Sequence, residues 1–136
     1  MGKVDLRKEL RQLYQPSSKA VAEVEVSAFT FLMIDGRGDP NRAVAYRSLL
    51  REAIAAAAKK DLPAIENLRI EEFAEGRCAQ VLHVGPFSDE GPTIERLHAW
   101  IGERGHLRGK HHEIYLTDIR RAEPSRWKTV SRQPMQ

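Results

Sequence analysis

The chain has 136 residues, which suits one domain with a single modest core. With 41% hydrophobic and 30% charged residues it has an ordinary globular composition, and no apolar run approaches the roughly 20 residues that a bilayer-spanning helix needs. The 22 Lys and Arg against 19 Asp and Glu leave only +3, too weak a bias to signal nucleic-acid binding, and one cysteine, Cys78, excludes a disulfide framework or a cysteine-rich metal site within one chain. The charged start, Met1 to Lys8, is not a secretory signal, so a cytoplasmic location is expected.

Asp5 to Tyr14 predicts a short amphipathic helix, capped by Asp5, with Leu6, Leu10 and Leu13 on one stripe. Ala20 to Val26 is β-prone. Ala28 to Ile34 is strongly apolar and predicts a central strand covered on both faces. Asp35 to Asn41 is a turn cluster whose two glycines lack the spacing of a phosphate loop. Arg42 to Lys60 predicts a helix, with Tyr46, Leu49, Leu50, Ala53, Ile54 and Ala57 as its buried face. Asn67 to Phe73 and Cys78 to Val84 predict two strands of a hairpin. Ser88 to Pro92 predicts the start of a helix over Thr93 to Glu103 that packs Ile94, Leu97 and Ile101. His111 to Thr117 predicts the last clear strand, and Trp127 to Arg132 a further edge strand.

The order is βαββαβ, that of a ferredoxin-like unit: an α+β fold with an antiparallel sheet and helices on one face. A single domain over 1–136 is expected, with a helical arm over 1–19, a first half over 20–60 and a second half over 61–136.

The chemistry concentrates in the last clear strand. Strand side chains alternate faces, so His111, Glu113 and Tyr115 share one side and Ile114 and Leu116 the other. The polar side is either solvated or lines a ligand cleft. A carboxylate removed from water holds its proton more tightly, serves as acid or base, and attracts a cation. Tyr115 reads equally as a ligand-stacking phenol and as a half-buried β-former. Adjacent His111 and His112 point to opposite faces, so they make no metal pair. His83 is either a cleft base or a satisfied core histidine. Phe31 and Met33 share parity and face either cleft or core. Trp127, in a polar tail, reads as a cover for a ligand or partner.

Several segments resemble the GyrI-like small-molecule-binding family. They are Lys3 to Leu10, Phe31 to Asn41, His83 to Ile94, Leu107 to Leu116 and Arg132 to Pro134. The resemblance implies a GyrI-like fold of two related halves around a cleft that takes hydrophobic and cationic small molecules. Some similar free-standing members hydrolyse the strained cyclopropane of DNA-alkylating compounds and act as resistance proteins. It also implies that Glu113, with Tyr115 beside it, points into the cleft as the catalytic pair. Phe31, Met33, His83, His111 and Trp127 are then the ligand-binding candidates, with no metal and no cofactor.

Against the family pattern the first half is shortened: a block between Asn41 and the helix preceding Asp61 is absent, and Tyr46-Arg47 runs almost directly into Ser48-Leu49. Sheet edges left open this way favour a homodimer, with exchange of an element between copies. The alternative function is a non-catalytic module that sequesters a ligand or docks on a protein partner. No helix-turn-helix is visible, so neither direct nucleic-acid binding nor a membrane association is expected.

Overall fold

The computed structural model describes residues 2, 4–33, 35 and 69–136. They belong to two compact units, one formed by Met1–Ala28 with Ala74–Gln136, the other by Phe29–Phe73. The helix expected over Arg42 to Lys60, most of the Asp35 to Asn41 turn and the first residues of the Asn67 to Phe73 strand lie outside the described residues.

In chain order the elements are α1 (Leu6–Glu9), α2 (Arg11–Tyr14), β1 (Ala22–Val26), β2 (Phe29–Met33), β3 (Arg69–Phe73), β4 (Gly76–Val84), α3 (Gly91–Gly102), β5 (His112–Tyr115) and β6 (Lys128–Pro134). The larger unit holds a four-stranded antiparallel sheet in the order β1-β4-β6-β5. The result is α+β with antiparallel pairing, as the sequence leads one to expect.

Register decides which side chains meet. Ser131 on β6 stands opposite Val81 on β4 and Glu113 on β5, and Thr129 stands opposite His83 and Tyr115. Directly opposed residues share a face. The same rule places Gln80, Arg132 and His112 together on the other face. On the first face α3 packs Leu97 and Ile101 into a core with Ala79, Val81 and Met135, with Val21 and Trp100 at its margin. Pro92 occupies the first turn of α3, where its missing N–H leaves nothing unpaired.

The second face meets the N-terminal arm. The single helix expected there is two separate turns, because the backbone leaves helical geometry at Leu10 (φ −110°, ψ 53°). So short a helix is marginal by itself, and the sheet draws off its carbonyls. Gln80 donates to the Gln12 carbonyl at 2.5 Å and Arg132 to the Leu13 carbonyl at 2.6 Å. The expected Asp5 cap is present, accepting from the Arg7 N–H at 3.1 Å.

Three other expectations are corrected. The hairpin of Asn67 to Phe73 with Cys78 to Val84 does not form; β3 pairs with β2, and β4 pairs with β1 and β6. The link between them is pinned, since Glu75 is buried under Arg132 and His112 instead of turning at the surface. The apolar run from Ala28 to Ile34 is not a doubly covered central strand. Among the described residues β2 pairs with β3 alone, and Leu32, opposite Ile70, is 69% exposed. The supposed edge strand after Trp127 is β6, an interior strand. Three of its buried polar side chains are tolerated inside because they find partners: Ser131 in Glu90, Arg132 in Glu75, Gln133 in the Arg108 carbonyl at 2.9 Å. Among the described residues, no helix is long and apolar enough to cross a membrane.

Candidate functional site

The alternation read from the sequence places Glu113 and Tyr115 side by side. The Tyr115 hydroxyl donates to Glu113 Oε2 at 2.5 Å. Glu113 is half-buried, and Tyr115 is 39% exposed, so the pair is open to solvent at its aromatic end.

A second carboxyl group joins them. Glu90, the residue before α3, is only 3% exposed and gives α3 no side-chain cap. Its Oε1 instead accepts from the Ser131 hydroxyl at 2.6 Å. Ser131 is the register partner of Glu113, and this brings the Glu90 and Glu113 carboxyl groups within hydrogen-bonding reach. Burial pushes the Glu90 carboxyl upward, the Ser131 hydroxyl opposes this, and the charge of Glu113 pushes it further. The outcome is a Glu90 that holds its proton above the usual carboxylate range. The neighbouring carboxylate adds to burial in favouring the protonated form of Glu90, because a second charge beside it is costly.

This has a consequence for stability. A carboxyl group raised in the folded state favours folding below its unfolded value, and that contribution is lost as pH rises through the folded one. Relative to Glu90→Gln, the wild type is therefore expected to lose unfolding free energy as pH rises above about 4.5. Urea unfolding of both proteins across that range measures it; parallel curves would show that Glu90 titrates normally.

The approach to Glu90 is set by a strained turn. Gly85 ends β4 at φ +136°, and its N–H donates to the Trp127 carbonyl at 2.9 Å. Pro86 and a single 3-10 turn over Phe87–Asp89 follow. The turn sets the Phe87 ring against Tyr115, centroids 5.2 Å apart, and against Trp127 at 4.9 Å. Trp127 is held by its Nε1–H, which donates to the Ala122 carbonyl at 2.9 Å. Gly85→Ala forces a side chain into a backbone region it avoids and is expected to cost about 1–3 kcal/mol in urea unfolding.

The remaining sequence candidates fall in different places. His83 lies on the site's face, yet both ring nitrogens are engaged: Nδ1 is 3.1 Å from the Thr93 hydroxyl and Nε2 is 3.1 Å from the Pro86 carbonyl. It braces the turn that carries Phe87. His111 is half-buried beside the His98 ring, at 6.3 Å between centroids. Burial pulls its pKa down; the charge of Glu113 opposes this, while His98 and His112 add to it. Phe31 and Met33 belong to the smaller unit, not to the one that holds Glu113. There the Phe31 ring meets Phe29 edge-on at 6.2 Å, and the Met33 sulfur accepts from Arg69 at 3.7 Å.

Glu90, Ser131 and Phe87 were not found as site residues by sequence reasoning. One signal existed for Glu90. It occupies a helix-capping position where Ser, Thr, Asp or Asn is preferred. Among the described residues, no group of three or more His, Cys, Asp or Glu side chains is placed to hold a metal ion.

Residues 49–130 match the GyrI-like small molecule binding domain, a span that takes in Glu90, Glu113, Phe87, Tyr115 and Trp127. This chain belongs to the GyrI-like family. The GyrI-like domain also aligns with solved structures from Listeria innocua. An uncharacterized conserved protein is 25% identical, with 98% of this chain and 100% of that one covered at a TM-score of 0.79. A hydrolase is 24% identical over 98% and 100% of the two chains, at a TM-score of 0.79. A hydrolase encoded by lin2189 is 23% identical over 99% and 100%, at a TM-score of 0.79. The likeness of this chain to the two hydrolases is one of fold. No curated protein matches the chain.

Proposed function

We propose that this GyrI-like domain binds flat, apolar, cationic small molecules against Glu113, Tyr115, Phe87 and Trp127. The observation that carries the reading is the half-buried Glu113 carboxylate, paired to Tyr115 at 2.5 Å, with the Phe87 ring packed against both Tyr115 and Trp127. Ring faces attract both a planar apolar ligand and a cation, and the carboxylate supplies the opposing charge. Binding of 2-naphthylmethylammonium and of uncharged 2-methylnaphthalene, followed by Trp127 fluorescence in a Trp100→Phe background, tests it. The cation is expected to bind about tenfold tighter, and Glu113→Gln to erase that preference. Equal affinity for both probes in the wild type would end the reading.

A second reading, hydrolysis of a strained cyclopropane, draws support from the buried, proton-retaining Glu90 beside Glu113. A water oxygen bonds to a ring carbon, the strained C–C bond breaks, and its electron pair passes to a conjugated carbonyl oxygen. Glu113 accepts the proton that the water loses. The Tyr115 hydroxyl steadies the new oxyanion, and the protonated Glu90 delivers the proton that neutralises it. The hydrolases among the Listeria structures fit this reading at the level of fold.

A further inference from the structure

Among the described residues, four buried side-chain polar atoms have no hydrogen-bond partner: Nε2 of His98, both ring nitrogens of His111, and the Thr129 hydroxyl. All four belong to the larger unit, on the face of the sheet that carries Glu113. His111 precedes β5 by one residue and shares the parity of Glu113. Thr129 stands opposite Tyr115. His98 comes from α3, which covers this face, and its ring meets that of His111 edge-on at 6.3 Å.

An unpaired buried polar atom costs about 1–3 kcal/mol, and native proteins keep few of them. Core packing gives no reason to place imidazoles here, since Leu97 and Ile101 already fill the seam between α3 and the sheet. His111 is a poor counter-charge for Glu113. Burial favours the neutral His111 ring, and neighbouring His98 and His112 reinforce this against the pull of Glu113. A neutral imidazole offers one N–H donor and one bare acceptor nitrogen. The unpaired nitrogens of His111, with Nε2 of His98 beside them, suit a group that both gives and takes a hydrogen bond. An anion would face Glu113, and a cation is better served by the carboxylates.

We propose that His98 and His111 form a polar subsite for an uncharged donor–acceptor group, an amide or a hydroxyl, carried by the same ligand whose ring lies on Phe87, Tyr115 and Trp127. This rests on the binding site proposed above and adds the second chemical feature that a ligand must have. A molecule with a flat apolar ring and an amide at its edge satisfies both.

The test compares 2-naphthamide with 2-methylnaphthalene, which share the ring and differ in the amide. The protein carries 15N-labelled histidine, so each ring nitrogen is observed directly, and Trp127 fluorescence gives the affinities. The amide is expected to shift the ring nitrogens of His98 and His111, to leave those of His83 in place, and to bind about tenfold tighter than the hydrocarbon. In His111→Phe the advantage is expected to shrink to about twofold or less. Two results overturn the proposal while leaving the aromatic site standing: both probes bind but the His98 and His111 nitrogens stay put, or the amide keeps its advantage in the variant. Failure of either probe to disturb Trp127 would overturn the aromatic site and the subsite with it. The spectra of the wild-type protein decide the matter even if the variant does not fold.

Discussion

Arg132→Ala is expected to remove about 3–5 kcal/mol of unfolding free energy, a large share of what a domain of this size possesses. The guanidinium is buried and uses three nitrogens at once. Nε donates to Gln80 Oε1 at 2.9 Å, Nη1 to Glu75 Oε2 at 2.7 Å, and Nη2 to the Leu13 carbonyl at 2.6 Å. It thereby ties β4, β6 and the N-terminal arm together. Removing it strands the Glu75 carboxylate at 8% exposure, with only His112 Nδ1, at 2.5 Å, to face its other oxygen. Most of the loss comes from that uncompensated charge, and less from the lost bonds themselves. Glu75→Gln keeps an acceptor and is expected to cost less. Burial by itself would raise the Glu75 carboxyl, but hydrogen bonds from His112 and Arg132 hold it below the usual range. A lowered carboxyl stabilises the fold above its unfolded value, and that contribution disappears as pH falls through the folded one. Urea unfolding between pH 7 and pH 3 should show a steeper acid decline for the wild type than for Glu75→Gln. An Arg132→Ala midpoint within 0.5 M urea of the wild type, an on-the-order-of-1-kcal/mol effect, would mean that the network is not what holds the arm.

Glu113→Gln is expected to lower turnover of an activated cyclopropane by about 10²–10⁴-fold, the usual contribution of a general base. The amide preserves size and can still accept from the Tyr115 hydroxyl, so the fold should survive. What it cannot do is take a proton from water. Glu90→Gln separates the two carboxyl groups: its amide retains the acceptor for Ser131 and gives a donor toward Glu113, yet delivers no proton. Loss of turnover in both variants identifies a working acid–base pair. Loss only in Glu113→Gln leaves Glu90 as a positioning residue for Glu113. Product analysis by mass spectrometry, reading the gain of one water, decides between hydrolysis and sequestration. Binding without that gain in the wild type would leave a ligand-holding domain and nothing more.

The site was half legible beforehand. Period-two alternation in His111 to Leu116 sufficed to pair Glu113 with Tyr115, because that rule needs no knowledge of the rest of the fold. The helix over Gly91–Gly102 was equally plain, from Pro92 at its start and the spacing of Leu97 and Ile101. Glu90 was hidden because a glutamate before a helix ordinarily faces water. Only the pairing of β5 with β6 puts Ser131, and through it Glu90, beside Glu113. β6 was misplaced at an edge for a related reason. Polar residues signal exposure unless they satisfy one another, and their partners lie far away along the chain, from Leu13 to Arg108.

Local pattern therefore determined what each segment could become: the strand bearing Glu113, the amphipathic α3, and the family resemblance itself. Tertiary structure alone decided which strands became neighbours. That choice made β6 central, gave β3 to β2 in place of β4, and set the buried Glu90 beside the glutamate–tyrosine pair. Strand pairing depends on contacts between residues distant in sequence, and the hydrogen-bond needs of a buried arginine or glutamate are met only once those contacts exist.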